Sequence, residues 1–262
     1  MSLTKIKIDL NAFILCLLLA VPTMSCNSLN PNKEGTFPPD HAQFNNLLKK
    51  HVDERGNVNY KQLKNERSLL DEYLGLLSEH PPNESNWTKE DQIAYWINAY
   101  NAFTLALVLD HYPIASIKDI GSKIQIPFVN TPWDIKFIEI GDEEYDLNNI
   151  EHNILRENFN EPRIHFAIVC ASFSCPKLRN EAYRGGKLEQ QLEDQARNFL
   201  RDKSKNEIGT SEIHISKIFS WFKGDFTKDG SLIEFLNLYS QKKIEENAKV
   251  SYMDYDWSLN DQ

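Results

Sequence analysis

"TKEDQIAYWINAYNAFTLALVLDHYP", residues 88–113, is the stretch on which the fold turns. Thr88 with Asp91 three places on makes a capping-box-like start, because the acid can reach back to the cap backbone. Pro113 marks the stop. Between them apolar residues fall on nearly every side of a 3.6-residue period instead of along one stripe, so the spacing predicts a helix buried on most of its surface. Asn98 and Asn101 stand at i, i+3 and share one face of it. A buried amide left unpaired costs roughly 1–3 kcal/mol. Both are therefore expected to hydrogen-bond, either to neighbouring backbone or at a functional site.

The covering elements can be read outward from this helix. Upstream, "HAQFNNLLKKHV" after Asp40 carries Phe44, Leu47 and Leu48 at helical spacing. "ERSLLDEYLGLLSEH" follows as a second amphipathic helix, with Leu69, Leu70, Tyr73, Leu74 and Leu77 on one side. Downstream, "IKFIEIGDEEYDL" alternates and breaks at Gly141-Asp142, the pattern of a β-hairpin. "LNNIEHNILRENF" predicts a short helix, and the apolar run "RIHFAIVCA" predicts a strand at the centre of a sheet. "KLEQQLEDQARNFLRD" is an amphipathic helix and "EIHIS" a strand. "SKIFSWFKGDF" and "SLIEFLNLYS" predict compact helical units, and "KVSYMDYDWSLN" an extended, aromatic end. The expected class is α+β: an antiparallel sheet packed on a buried central helix, with additional N-terminal helices.

The first residues have a separate logic. Lys5 and Lys7 precede "FILCLLLAV" (13–21), an apolar run too short to span a bilayer, which takes about 20 residues, but long enough for a signal-peptide core. "VPTMSC" follows and resembles a bacterial lipoprotein signal, in which Cys26 becomes the lipidated first residue. Thr23 departs from the usual leucine, and ordinary secretion with nearby cleavage is the alternative. The expected organisation is a signal peptide over 1–25, a polar tether over 26–40 and one α+β domain over 41–262. Partner and location follow: a membrane reached through the lipid anchor, at the bacterial cell envelope, after export. A net charge of −9 with no basic tract excludes nucleic acid as a natural partner.

Chemistry concentrates in "HFAIVCASFSCPKLR", residues 165–179. On an ideal strand His165 and Cys170 point to opposite faces, so Cys170 reads as a small buried hydrophobe. Cys175 precedes Pro176, a residue suited to the first position of a helix, and a thiol at a helix start is held towards thiolate. That makes Cys175 the candidate nucleophile, with His165 as first and His152 as second candidate base. An exported compartment equally permits a Cys170–Cys175 disulfide. No second cysteine pair accompanies them, so neither a metal site nor a cofactor is expected.

"YWINAYNAFTLALVL", "IEHNILR", "HFAIVCASFSCPKLRNEAY", "SKIFSWFKGDF" and "YDWSLN" together resemble the domain-of-unknown-function family numbered 547, in the expected order over roughly residues 90–260. The resemblance implies no established activity. It implies a fold similar to papain-like or transglutaminase-like cysteine peptidases. In such enzymes the nucleophilic cysteine sits on a buried helix and the histidine begins a later strand. Here the buried helix carries Asn98 and Asn101 and no cysteine, so Cys175 would act from a new position or the protein would be a non-catalytic, lipid-anchored binding or structural module. In the catalytic case the chain is a thiol hydrolase or acyltransferase acting on an unidentified peptide-like substrate. Cys175 attacks a carbonyl, a histidine moves the proton, and Asn98 or nearby N–H groups hold the oxyanion. Asn101 is an oxyanion or structural candidate.

Overall fold

The computed structural model describes residues 36–121 and 131–262. The expected signal peptide, the expected lipidation site Cys26 and most of the expected tether lie outside the described residues. Among the described residues, no helix is long and apolar enough to cross a membrane.

The central helix runs from Lys89 to His111, and every residue from Ile93 to Leu109 is buried. Thr88 and Asp91 form the expected reciprocal cap, with Thr88 Oγ1 accepting from Asp91 N–H at 3.1 Å. Two helices cover one side. In Ala42–His51, Phe44 stacks on Tyr73 of Arg67–Glu79 at 4.7 Å between ring centroids. Tyr95 of the central helix donates to Leu77 O at 2.7 Å. Leu70, Tyr73 and Leu77 are buried as the stripe requires, whereas Leu69 lies at its solvent edge and is exposed. The hairpin forms as β1 (Ile138–Ile140) and β2 (Glu143–Tyr145), antiparallel, turning on Gly141 with φ 63°.

The molecule is mixed α+β, and among the described residues its β-structure consists of two small sheets and a few isolated bridges. The second contains β3 (Glu207–Ile208), β4 (Glu212–Ile215) and β5 (Lys249–Tyr252). β3 and β4 pair antiparallel, and β4 and β5 pair parallel. Beside it Phe166, Phe199, Phe219, Phe226 and Leu236 form an apolar cluster separate from the one around the central helix.

Two expected elements are replaced by irregular backbone, and both carry site residues. Pro162–Phe166 is a 3-10 helix, and residues 167–171 directly after it form no strand. Ile164 to Val169 are buried without exception, so the apolar run records burial and not pleating. The hydrogen bonds a sheet neighbour would supply come from a side chain. Asn101 Nδ2 donates to Ala167 O at 2.9 Å, and Asn101 Oδ1 accepts from Val169 N–H at 2.9 Å. Likewise Cys175-Pro176 begins no helix. Residues 176–184 are instead fixed by buried amides, because a backbone without its own ladder still needs partners for its buried N–H and C=O groups. Gln195 donates to Lys177 O, Gln191 donates to Ala182 O, and Asn98 exchanges two hydrogen bonds with the backbone of Tyr183.

The C-terminal segment closes the structure. Phe173 N–H donates to Ser258 O at 2.8 Å, Ser174 N–H to Asp256 O at 3.1 Å and Val58 N–H to Asn260 O at 2.8 Å. The cysteine turn is thus strapped from one side by the chain end and from the other by Asn101.

Candidate active site

Cys170 and Cys175 occupy the two ends of a tight turn. Ala171 between them has φ 58°, a left-handed conformation that costs a non-glycine residue strain and persists only where its surroundings enforce it. Asn260 N–H supplies that enforcement by donating to Ala171 O at 3.1 Å. The result aims Cys170 N–H at Cys175 Sγ, 3.0 Å away, and brings the two sulfurs within 2.7 Å. At this separation the sulfurs are in contact and are not bonded as a disulfide. Ser172 Oγ and Tyr255 OH complete the group, 3.2 Å and 3.4 Å from Cys170 Sγ.

This environment separates the two thiols. Burial pushes the Cys175 thiol up, but hydrogen bonds from the Cys170 thiol, the Tyr255 hydroxyl and the Cys170 N–H outweigh burial and bring its pKa to about 7. The same bond to Cys175, together with burial, raises the Cys170 thiol well above its ordinary value. The exposures run the other way. Cys175 is 5% exposed and Cys170 is half-buried, so the expectation of Cys170 as an inert residue in a sheet layer gives way to a thiol at the cavity wall.

Both sulfurs face a cavity of about 160 Å³ lined also by Glu151, His152, His165 and the rings of Trp133, Trp221, Phe222, Tyr255 and Trp257. His165 Nε2 lies 2.7 Å from Asp225 Oδ2, and its ring stacks on Phe222 at 3.9 Å. Asp225 accepts two further bonds from Arg156, at 2.6 and 3.1 Å. The hydrogen bond to His165, then those from Arg156, hold this carboxyl below the ordinary carboxylate range despite partial burial. Burial lowers the His165 pKa more than Asp225 raises it, so the imidazole is neutral at pH 7. An ionised carboxylate only accepts, which assigns the proton to Nε2 and leaves Nδ1 with the lone pair. Nδ1 lies 4.0 Å from Glu151 Oε1.

Glu151 belongs to a π-helix, Asn149–Arg156, a form concentrated at functional sites. Burial, then the charge of Cys170, pushes its carboxyl up to about 7. His152 accepts from Arg156 Nη1 at 3.0 Å, and burial followed by Arg156 lowers its pKa. Among the described residues neither thiol hydrogen-bonds an imidazole, and no three His, Cys, Asp or Glu side chains converge as metal ligands.

The asparagines take their places away from the reacting groups. Both amide atoms of Asn98 are used by Tyr183 and the residue does not line the cavity, so it holds no oxyanion there. Asn101 holds the backbone leading into Cys170.

Residues 84–200 match the family model described as "Protein of unknown function, DUF547". Over that segment the chain is similar to the DUF547 family. No curated protein and no solved structure matches the chain. The DUF547 segment holds Asn98, Asn101, Glu151, His152, His165 and both cysteines of the turn, whereas Asp225, Tyr255 and Trp257 lie beyond it.

Sequence reasoning missed Glu151, Arg156, Asp225, Tyr255 and the tryptophans. Their signal was present as motif text: "IEHNILR" contains Glu151 and Arg156, "SKIFSWFKGDF" contains Trp221 and Asp225, and "YDWSLN" contains Tyr255 and Trp257. Nothing in those strings gives the pairing of Asp225 with a histidine 60 residues earlier.

Proposed function

We propose that this protein is a thiol-dependent hydrolase or acyltransferase for peptide-like bonds, exported and lipid-anchored at the bacterial cell envelope through Cys26. The observation that carries the chemistry is one cavity holding a thiol lowered to about 7 and an imidazole oriented by a carboxylate. Cys175 thiolate attacks the carbonyl carbon, forming the C–S bond, and the carbonyl electrons move to oxygen. The Tyr255 hydroxyl is the donor beside the thiols for that oxyanion. The Cys175 proton passes to His165 Nδ1, with Glu151, 4.0 Å from Nδ1 and lining the same cavity, as a relay. The same proton is given to the leaving amine as the C–N bond breaks. Water or an acceptor amine then takes the acyl group from sulfur. The location rests on the N-terminal sequence alone.

A small activated ester tests this without knowledge of the substrate. Incubation with p-nitrophenyl acetate should release p-nitrophenol and leave one acetyl group on Cys175, located by peptide mass mapping. Cys175→Ser should lose the adduct, and His165→Asn should slow its turnover by about 10²-fold or more. Acetylation spread over lysines with Cys175 unmodified would overturn the reading. The second reading, a lipid-anchored binding module, draws on the aromatic wall, where Trp221 is 49% exposed, and on the lack of a thiol–imidazole hydrogen bond. It takes first place if Cys175 stays unacylated.

A further inference from the structure

Acyl transfer needs one thiol, yet the turn delivers two to the same cavity. Cys170 Sγ touches Cys175 Sγ at 2.7 Å, and Cys170 is the more exposed residue of the pair. The contact is imposed by backbone: the left-handed Ala171, its carbonyl tied to Asn260, and the Asn101 bridge to Ala167 and Val169. Glu151, a buried carboxyl, lines the same cavity and can take up a proton. A thiol held against a second thiol, with a proton acceptor at hand, is the arrangement that thiol–disulfide exchange uses.

We propose that Cys170 and Cys175 form a dithiol–disulfide exchange centre that reduces small alkyl disulfides, with Cys175 as attacking thiol and Cys170 as resolving thiol. This is an activity beyond acyl transfer and does not depend on it. Cys175 thiolate attacks one sulfur of a disulfide RSSR. The S–S bond breaks, Cys175–S–S–R forms, and RS⁻ leaves and is protonated to RSH. Cys170 gives its proton to Glu151 and attacks Cys175 Sγ, expelling the second RS⁻, which takes that proton. RSSR is reduced to two RSH, and the two protein thiols are oxidised to one disulfide. A dithiol reductant returns the centre to its starting state.

The cavity restricts the substrate. A space of about 160 Å³ equals a handful of water volumes, and an engineered cavity of roughly that size holds benzene. It is sized for one arm of a low-molecular-weight disulfide. The aromatic walls favour a neutral alkyl arm over a charged one.

Bis(2-hydroxyethyl) disulfide is a suitable probe for the full chain. Both cysteines fall in one tryptic peptide, residues 164–177, so mass mapping reads the outcome directly. In the unmodified chain that peptide should lose both thiols, carry no adduct and recover them with dithiothreitol. Cys170→Ser should accumulate one mercaptoethanol adduct on Cys175, persisting about 100-fold longer than in the parent because the neighbouring thiol no longer resolves it. Cys170→Ala with an unchanged melting profile repeats the test if the serine variant fails to fold. A stable adduct on the unmodified chain, adduct formation on Cys170 in Cys175→Ser at the parent rate, or unreactive thiols would each overturn the proposal. No acyl substrate enters the assay, so its failure and the failure of the hydrolase reading are separate results.

Discussion

Replacing Asn101 by alanine should both destabilise the protein and slow the chemistry of Cys175, and the two effects have separable sizes. The amide satisfies Ala167 O and Val169 N–H, and all three residues are buried. Truncation leaves two buried polar groups without partners, each costing about 1–3 kcal/mol, or about 2–6 kcal/mol together. At about 2–4 °C per kcal/mol for a domain of this size, the melting temperature should fall by at least about 4 °C. The released backbone leads into Cys170, whose N–H donates to Cys175 Sγ. A hydrogen bond to a charged group is worth about 1.5–3 kcal/mol, or about one to two pKa units. From a starting value of about 7, that shift lowers the thiolate fraction at neutral pH by about 5- to 50-fold.

The assay is iodoacetamide labelling of Cys175 at pH 7, followed by mass mapping, alongside thermal unfolding. Asn98→Ala is the matched control. Its amide makes the same two backbone bonds, to Tyr183, in a part of the structure that does not touch the thiols. It should lose comparable stability while labelling changes by less than about twofold. Two results would refute the reasoning: an Asn101→Ala protein that melts with the parent, or an Asn98→Ala protein whose labelling falls as far as that of Asn101→Ala.

Cys175 labelling in the unmodified protein should titrate with a midpoint near 7 while Cys170 stays unlabelled to higher pH; a Cys175 midpoint at or above the model-thiol value of about 8.5 contradicts the site. Glu151, held up at about 7 against an ordinary 4.5, binds its proton more tightly folded than unfolded, so the stability it contributes is present below 4.5 and lost as pH rises through about 7. The melting temperature of Glu151→Gln relative to the parent should therefore climb from pH 5 to pH 8, and a constant difference would reject the assignment. The mature protein should partition into detergent and Cys26→Ala should not; soluble behaviour of the processed parent ends the lipoprotein reading. Amides of Tyr95–Leu107 should exchange last of all in hydrogen-exchange measurements, because a helix buried on all sides opens only near global unfolding.

The fold was legible where burial and period agree. Thr88 and Asp91 announce the start of the central helix, its all-round apolar composition announces the burial, and Gly141 announces the hairpin turn. The segments 164–170 and 176–184 were not legible. Their composition records burial, and an apolar run has the same appearance in a buried strand, a helix or a clamped irregular stretch. What decides between them is the source of the backbone hydrogen bonds. Here the source is a set of amides, Asn98, Asn101, Gln191 and Gln195, that lie up to 85 residues away along the chain.

The same fact explains why the site was only half readable. His165, Cys170 and Cys175 stood out as residue types, but a strand would have set Cys170 and His165 on opposite faces and a helix would have lowered Cys175 by its dipole. Neither element exists, and both thiols and the imidazole still reach one cavity. The thiolate is favoured by discrete donors, Cys170 and Tyr255, in place of a dipole. The imidazole is oriented by Asp225, a residue from a short helical turn, Lys223–Phe226, itself held by Arg156 of the π-helix that also carries Glu151. Irregular backbone pinned by side-chain amides is what allows this convergence, since neither a 3.6- nor a 2-residue period would bring Cys170 and Cys175 sulfur to sulfur across a left-handed alanine. Loss of the Asn101 clamp should therefore damage stability and thiol chemistry together, whereas loss of Asn98 should damage stability alone.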